Sequence, residues 1–205
     1  MRLSLAYSII LRLNVLVFRT VDAAATLGVS ITHASHMLRR LSDEGLLHPV
    51  RRGYWAMPGL KDPFFLAEYL SAPAPAYISL QSALYYHGLI SQIPQRHFVV
   101  SLARSRSYET SFGTYSIHHV NSEFFFGYAT HGRPAIKIAL PEKALMDLLF
   151  LRQSSPSLFK SLPEIDLTAG IQRRNCMRIL TNLPNSPRKS AMALELDRLF
   201  SQDAN

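Results

Sequence analysis

The sequence predicts an α+β protein. Residues 1–60 form a small helical unit with a basic hairpin, and residues 61–205 form a mixed α/β unit with a helical end. Three observations predict this. Residues 20–57 carry two short helical patterns split by Gly28, then two strand-like runs joined through Arg51-Arg52-Gly53. The segment MPGLKDP, with two prolines and a glycine, interrupts the pattern near residue 60 and reads as a linker. From residue 97 onward, runs rich in β-branched and aromatic residues alternate with polar or glycine-containing turns, and helical patterns follow.

Composition bounds the partners. A chain of 205 residues with 48% hydrophobic content can bury a core. Its 22 Lys and Arg outnumber 14 Asp and Glu, for a formal charge of +8, which suits a phosphate-rich partner or an anionic membrane surface. The single cysteine, Cys176, excludes an internal disulfide framework and fits a cytoplasmic setting.

The elements follow in chain order. MRLSLAYSIILRLNVLVF resembles a secretory leader, but Arg12 and Asn14 interrupt the apolar run and leave it too short to span a bilayer. Leu5, Ile9, Leu13 and Leu16 recur at helical spacing, so an amphipathic helix packed on the following unit is expected, without membrane insertion. Thr20 can cap a helix over Val21–Leu27, Gly28 breaks it, and Ser30 can cap the next. In that next helix Ala34, Met37, Leu38 and Leu41 share a core-facing side. Thr32, His36 and Arg39 lie opposite them, flanked by His33, Ser35 and Arg40.

Gly45 ends the helix. LLHPV and GYWAM then read as strands joined by a turn whose tip is Arg51 and Arg52, with Gly53 free to adopt positive φ. Pro49 cannot donate to a ladder, which places its strand at an edge. A charged face opposite an apolar stripe is ordinarily just solvated. Helix, tight turn, helix and Arg-tipped hairpin within about 40 residues is instead the order of a winged helix-turn-helix, whose second helix enters the major groove while the wing meets the backbone. Ser30, Thr32, His33, Ser35, His36, Arg39, Arg40, Arg51 and Arg52 are the expected contacts with double-stranded DNA.

In the second unit Phe64–Leu70 reads as a helix. AYISLQSALYYHGL gives a strand, then a helix capped by Ser79 and ended by Gly88. HFVVSL, GTYSIHHV, EFFFGYA and AIKIAL read as strands, and LPEKALMDLLFL as a helix with Pro141 in its first turn. Cys176, Ile179, Leu180 and Leu183 mark another apolar helical face, with Arg174 and Arg178 opposite. Arg173, Arg188 and Lys189 join these two in a second candidate basic surface, which could meet DNA, RNA or a protein.

The segments TVDAAATLGVSITHASHMLRRLSDEGLL and RRGYWAMP, followed in order by YISLQSALYYHGL and LPEKALMDLL, resemble the AbiEi family of type IV antitoxins over about residues 15–200. The helix-turn-helix portion is generic, and the YIS-xx-SAL-xx-HGL and PEKALMDLL segments are the more specific ones. The resemblance implies a winged helix that represses its own promoter and a second domain that counteracts a nucleotidyltransferase-like toxin. By the match, DNA reading passes to the helix around Thr32, His36 and Arg39 and to the wing at Arg51 and Arg52.

Motifs for catalysis are sparse. H-E-x-x-H, a cysteine pair and the phosphate-binding G-x-x-x-x-G-K-[ST] loop are all absent. His118 and His119 are adjacent on a strand and should point to opposite faces. Ser157–Lys160 spells S-x-x-K without its companion motifs. Glu142 and Asp147 diverge on their helix, and His87 reads as a helix C-terminal contact. No catalytic residue, metal or cofactor is therefore expected, and the chain reads as a non-enzymatic regulator. A stand-alone transcription factor with a ligand-sensing second domain is the alternative. A metal-dependent nuclease using histidine and carboxylates is a further one.

Overall fold

The computed structural model describes residues 2–153, 162–167 and 170–202. The Ser157–Lys160 tetrapeptide lies outside the described residues. The architecture is mixed α+β with a helical C-terminal end. No described helix is long and apolar enough to cross a membrane.

Helix α1 spans Leu3–Leu11 and stops where Asn14 takes positive φ, a conformation that Asn tolerates better than most residues. Its buried positions are Ala6 and Ile10, while Leu5 is exposed. Of the expected Leu5–Ile9–Leu13–Leu16 stripe, Ile9 and Leu13 pack partly buried on the same core, so the contact face is shifted toward Ala6 and Ile10 only in losing Leu5. Leu16 lies beyond the helix altogether. Strand β1, Val17–Arg19, follows and pairs antiparallel with β3, Tyr54–Ala56. Helix α2 covers Thr20–Leu27 and ends at Gly28, whose φ of 65° is left-handed. Helix α3 covers Ile31–Asp43, with the Ser30 hydroxyl accepting from His33 N at 3.2 Å.

Strand β2, His48–Arg51, completes a three-stranded sheet in the order β1-β3-β2. Pro49 therefore sits on an edge strand, and the register shifts between Pro49 and Arg51. Ala6, Ile10, Phe18, Ala23, Leu27, Met37, Leu38, Leu41, Leu47 and Met57 form one core for this unit.

The chain then makes a short 3-10 turn at Pro63–Phe65 and helix α4, Leu66–Ser71. Strand β4, Ala76–Ile78, leads into helix α5, Leu80–Tyr86. Strands β5 (His97–Ser101), β6 (Arg106–Thr110), β7 (Gly113–His119), β8 (Tyr128–His131) and β9 (Ile136–Ala139) complete a six-stranded sheet ordered β6-β7-β5-β4-β9-β8. It is mixed, with parallel pairs β4–β9 and β5–β7 and antiparallel pairs elsewhere. Part of EFFFGYA forms a 3-10 turn, Ser122–Phe124, rather than strand. Helices α6 (Pro141–Arg152), α7 (Arg173–Thr181) and α8 (Pro187–Gln202) follow, with α6 packed on α5, α7 and α8.

Of the side chains singled out in the sequence, His87 takes a role other than the one expected, while His118 and His119, Glu142 and Asp147, and Cys176 lie as expected. His87 Nε2 lies 2.8 Å from the Ala139 carbonyl, so it ties the end of α5 to β9. His118 is buried, stacks on Phe98 and lies 2.9 Å from the Ser116 hydroxyl, whereas His119 is exposed. Burial holds the His118 ring down at about 4. Glu142 accepts from Gln172 N and Asn175 Nδ2, away from buried Asp147. Cys176 is fully buried and its thiol is pushed up to about 12 by that burial, which makes it a core residue and a poor nucleophile.

Candidate nucleic-acid interface

Helix α3 is oriented by its apolar side. Ala34, Leu38 and Leu41 are wholly buried and Met37 nearly so, and this fixes which residues look outward. At about 100° per residue, Ile31, Thr32, Ser35, His36, Arg39, Ser42 and Asp43 fall on one continuous stripe. All seven line an open groove of about 1060 Å³. Its other walls are Pro49, Arg51, Arg52 and Gly53 from the hairpin, Trp55 from β3, and Arg19, Thr20 and Val21 from the start of α2.

The expected contacts divide across this geometry. Thr32, Ser35, His36, Arg39, Arg51 and Arg52 line the groove, whereas Ser30, His33 and Arg40 do not. His33 and Arg40 are exposed, but they sit more than about 100° around the helix from the middle of the stripe. Ser30 spends its hydroxyl as the cap of α3.

The two hairpin arginines also differ. Arg52 is exposed at the tip. Arg51 is half-buried, donates from Nη2 to the Ala72 carbonyl at 3.0 Å, and lies 4.2 Å over the Tyr54 ring. It therefore fastens the hairpin to the second unit, and Arg52 presents the more accessible charge.

Trp55 and Arg19 are among the wall residues that were not anticipated. Trp55 Nε1 donates to Thr20 Oγ1 at 2.9 Å, so Thr20 anchors the indole instead of capping α2. That cap is supplied by Arg19 and Asp22. Arg19 donates from its backbone N–H, Nε and Nη2 to the carboxylate, whose pKa is held below the usual range by these bonds. The spacing of Arg19 and Asp22 across a helix start was the available signal.

The segments YIS and PEKALMD meet at a second constellation. Asp147 Oδ2 accepts from Ser79 Oγ at 2.6 Å and from Tyr77 OH at 3.0 Å. Its Oδ1 accepts from Lys143 Nζ, which also bonds Tyr77 OH at 3.0 Å and lies 3.9 Å over the Phe124 ring. Ser79 thus turns into the protein rather than capping α5. Lys143 is 1% exposed, and Tyr77, Ser79 and Asp147 are 0% exposed. Burial pushes the Asp147 carboxyl up and the Lys143 ammonium down, while the donors gathered on the carboxylate oppose this. Sealed from solvent, the four groups bind α6 to β4 and the start of α5.

The second basic cluster is dispersed by its partners. Arg173 Nη2 lies 2.6 Å from Asp197 Oδ1, Arg188 stacks 4.5 Å over Phe150, and Lys189 Nζ donates to the Leu183 carbonyl at 2.8 Å. Arg174 and Arg178 remain exposed on α7. Between the two units lies a cleft of about 460 Å³ walled by Val17, Phe18, Tyr54, Phe65 and Tyr69, with Asp22 and Glu68 beside them. Comparison with protein-family models and with curated proteins gives no match.

Proposed function

We propose that this chain is a winged-helix DNA-binding protein that represses its own promoter, and that its second domain acts as a type IV antitoxin against a nucleotidyltransferase-like toxin. The observation that carries the DNA reading is the groove itself. The outward stripe of α3 and the tip of the hairpin face one concave surface, so hydroxyl, imidazole and guanidinium groups converge from two elements. Thr32, Ser35, His36 and Arg39 offer hydrogen-bonding groups to base edges, and Arg52 offers charge to phosphate. The antitoxin part rests on the AbiEi resemblance, whose two more specific segments pack together around Asp147 and Lys143.

The test is a titration of the full chain against a duplex from upstream of its own gene and against an unrelated duplex, at several salt concentrations. Binding that prefers the upstream duplex and weakens linearly in log salt supports the reading. Equal, negligible binding to both sinks it. A gene for a nucleotidyltransferase-like protein beside this one supports the antitoxin part.

The cleft lined by Phe18, Tyr54, Phe65 and Tyr69 favours a second reading, a stand-alone regulator whose DNA affinity responds to a small ligand, since such sites concentrate at domain interfaces. Among the described residues no three His, Cys, Asp or Glu side chains gather as metal ligands.

A further inference from the structure

Ile31 is out of place for a solvated helix face. It occupies the first position of α3 and is 57% exposed, while every other apolar residue of that helix is buried. Isolated surface apolar side chains are ordinary in proteins, so exposure alone decides nothing. Its location does. Ile31 lines the groove on the same stripe as Thr32, Ser35 and Arg39, and Val21, 42% exposed, lines that groove from α2. The first turn of a groove-entering helix is the part that meets base edges. In the major groove the protruding apolar group that a base pair displays is the thymine C5-methyl, set beside hydrogen-bond donors and acceptors, and cytosine has only hydrogen at that position.

We propose that Ile31 is a specificity-determining residue that reads the C5-methyl of thymine, so the preferred DNA carries a thymine opposite the N-terminus of α3. This deepens the DNA-binding reading above and rests on it. The side chain cannot hydrogen-bond, and a branched aliphatic group is complementary to a methyl. Thr32 and Ser35 beside it supply hydroxyls that accept several base edges, which leaves the apolar contact to discriminate thymine from cytosine.

The probe is a duplex isolated from a randomised pool by the full chain, compared with versions in which each thymine in turn is replaced by deoxyuridine. That change removes the methyl and leaves the pairing intact. At one or two positions affinity should fall about four-fold, the worth of one buried methylene-sized group. Ile31→Ala should bind the parent duplex more weakly and lose the thymine–uracil difference at those positions, while Ile31→Val should keep it. Circular dichroism should be unchanged, since the side chain is exposed. Equal affinity for all thymine and uracil duplexes, or a difference that survives in Ile31→Ala, overturns the inference and leaves DNA binding intact. Recovery of no duplex above background overturns the DNA reading and the inference together.

Discussion

Arg51 and Arg52 are adjacent and chemically identical, yet burial gives them different work. Arg51 is committed to the Ala72 carbonyl and the Tyr54 ring, so its loss should be felt as instability. Arg51→Ala should lower the unfolding free energy by about 1–2 kcal/mol, the worth of a charged hydrogen bond with its stacking contact. Arg52→Ala should leave stability within about 0.5 kcal/mol, while reducing the slope of log affinity against log salt by roughly one. Urea titration of both variants beside salt-dependent DNA titration checks the division. His118 gives a second residue-scale test. Its folded pKa of about 4 lies below the ordinary 6.5, so the unfolded chain binds the extra proton in between. Its contribution is present above about pH 6.5 and lost as pH falls toward 4, to a total on the order of 3 kcal/mol. His118→Gln should flatten the loss of urea stability between those pH values, and an unchanged acid slope would assign the linkage to other groups.

At the scale of elements, α6 is fixed to β4 and the start of α5 by the hydrogen bonds that Tyr77 and Ser79 make to an ion pair within α6 that water does not reach. Removing one partner leaves a charge in an apolar shell, so Lys143→Ala should destabilise by about 3–5 kcal/mol. Replacing both, as Lys143→Met with Asp147→Leu, should recover part of that loss, because the desolvation cost disappears with the charges while the buried hydroxyls of Tyr77 and Ser79 lose their acceptor. Chemical denaturation of single and double variants measures the coupling, and additive losses would contradict it. This network was only half legible in the sequence. Lys143 and Asp147 are visibly one turn apart, but nothing local brings Tyr77 and Ser79 to Asp147 across 70 and 68 residues. Helix α3 was legible because Ser30, its four buried residues and Gly45 agree on one answer. Strand β1 was not, since Val17 and Phe18 continue the apolar run of α1 and three residues carry no period. Nor was β6, an edge strand of Arg, Ser, Tyr, Glu and Thr whose polar composition conceals its pairing with β7. Within the groove, α3's own spacing revealed Thr32, His36 and Arg39. The burial of Arg51 depends on Ala72, 21 residues further along the chain.

For the whole molecule, the two units have distinguishable cores that touch. Val17, Val50 and Ala56 of the first pack into the larger cluster containing Leu66, Leu70 and Tyr77. The hairpin also leans on the second sheet, with His48 edge-on to Phe112 at 5.2 Å and β2 beside β6. DNA in the groove and a partner on α7 would nevertheless use different surfaces, since neither Arg174 nor Arg178 lines the groove. Arg173 and Lys189 already have intramolecular partners, so within that basic cluster Arg174 and Arg178 are the charges most available to a second macromolecule. Arg174→Glu with Arg178→Glu should therefore leave the fold within about 1 kcal/mol, because exposed positions tolerate such changes. It should also leave affinity for the upstream duplex within about two-fold, the long-range effect of reversing distant, screened charges being small. Protection against a neighbouring toxin, measured as growth rescue, should fall. Arg52→Ala should show the reverse pattern, with a derepressed promoter and full rescue when expressed independently. Full rescue by the folded double charge reversal would remove α7 from the proposed antitoxin surface, and a matching loss of DNA binding would merge the two proposed surfaces into one.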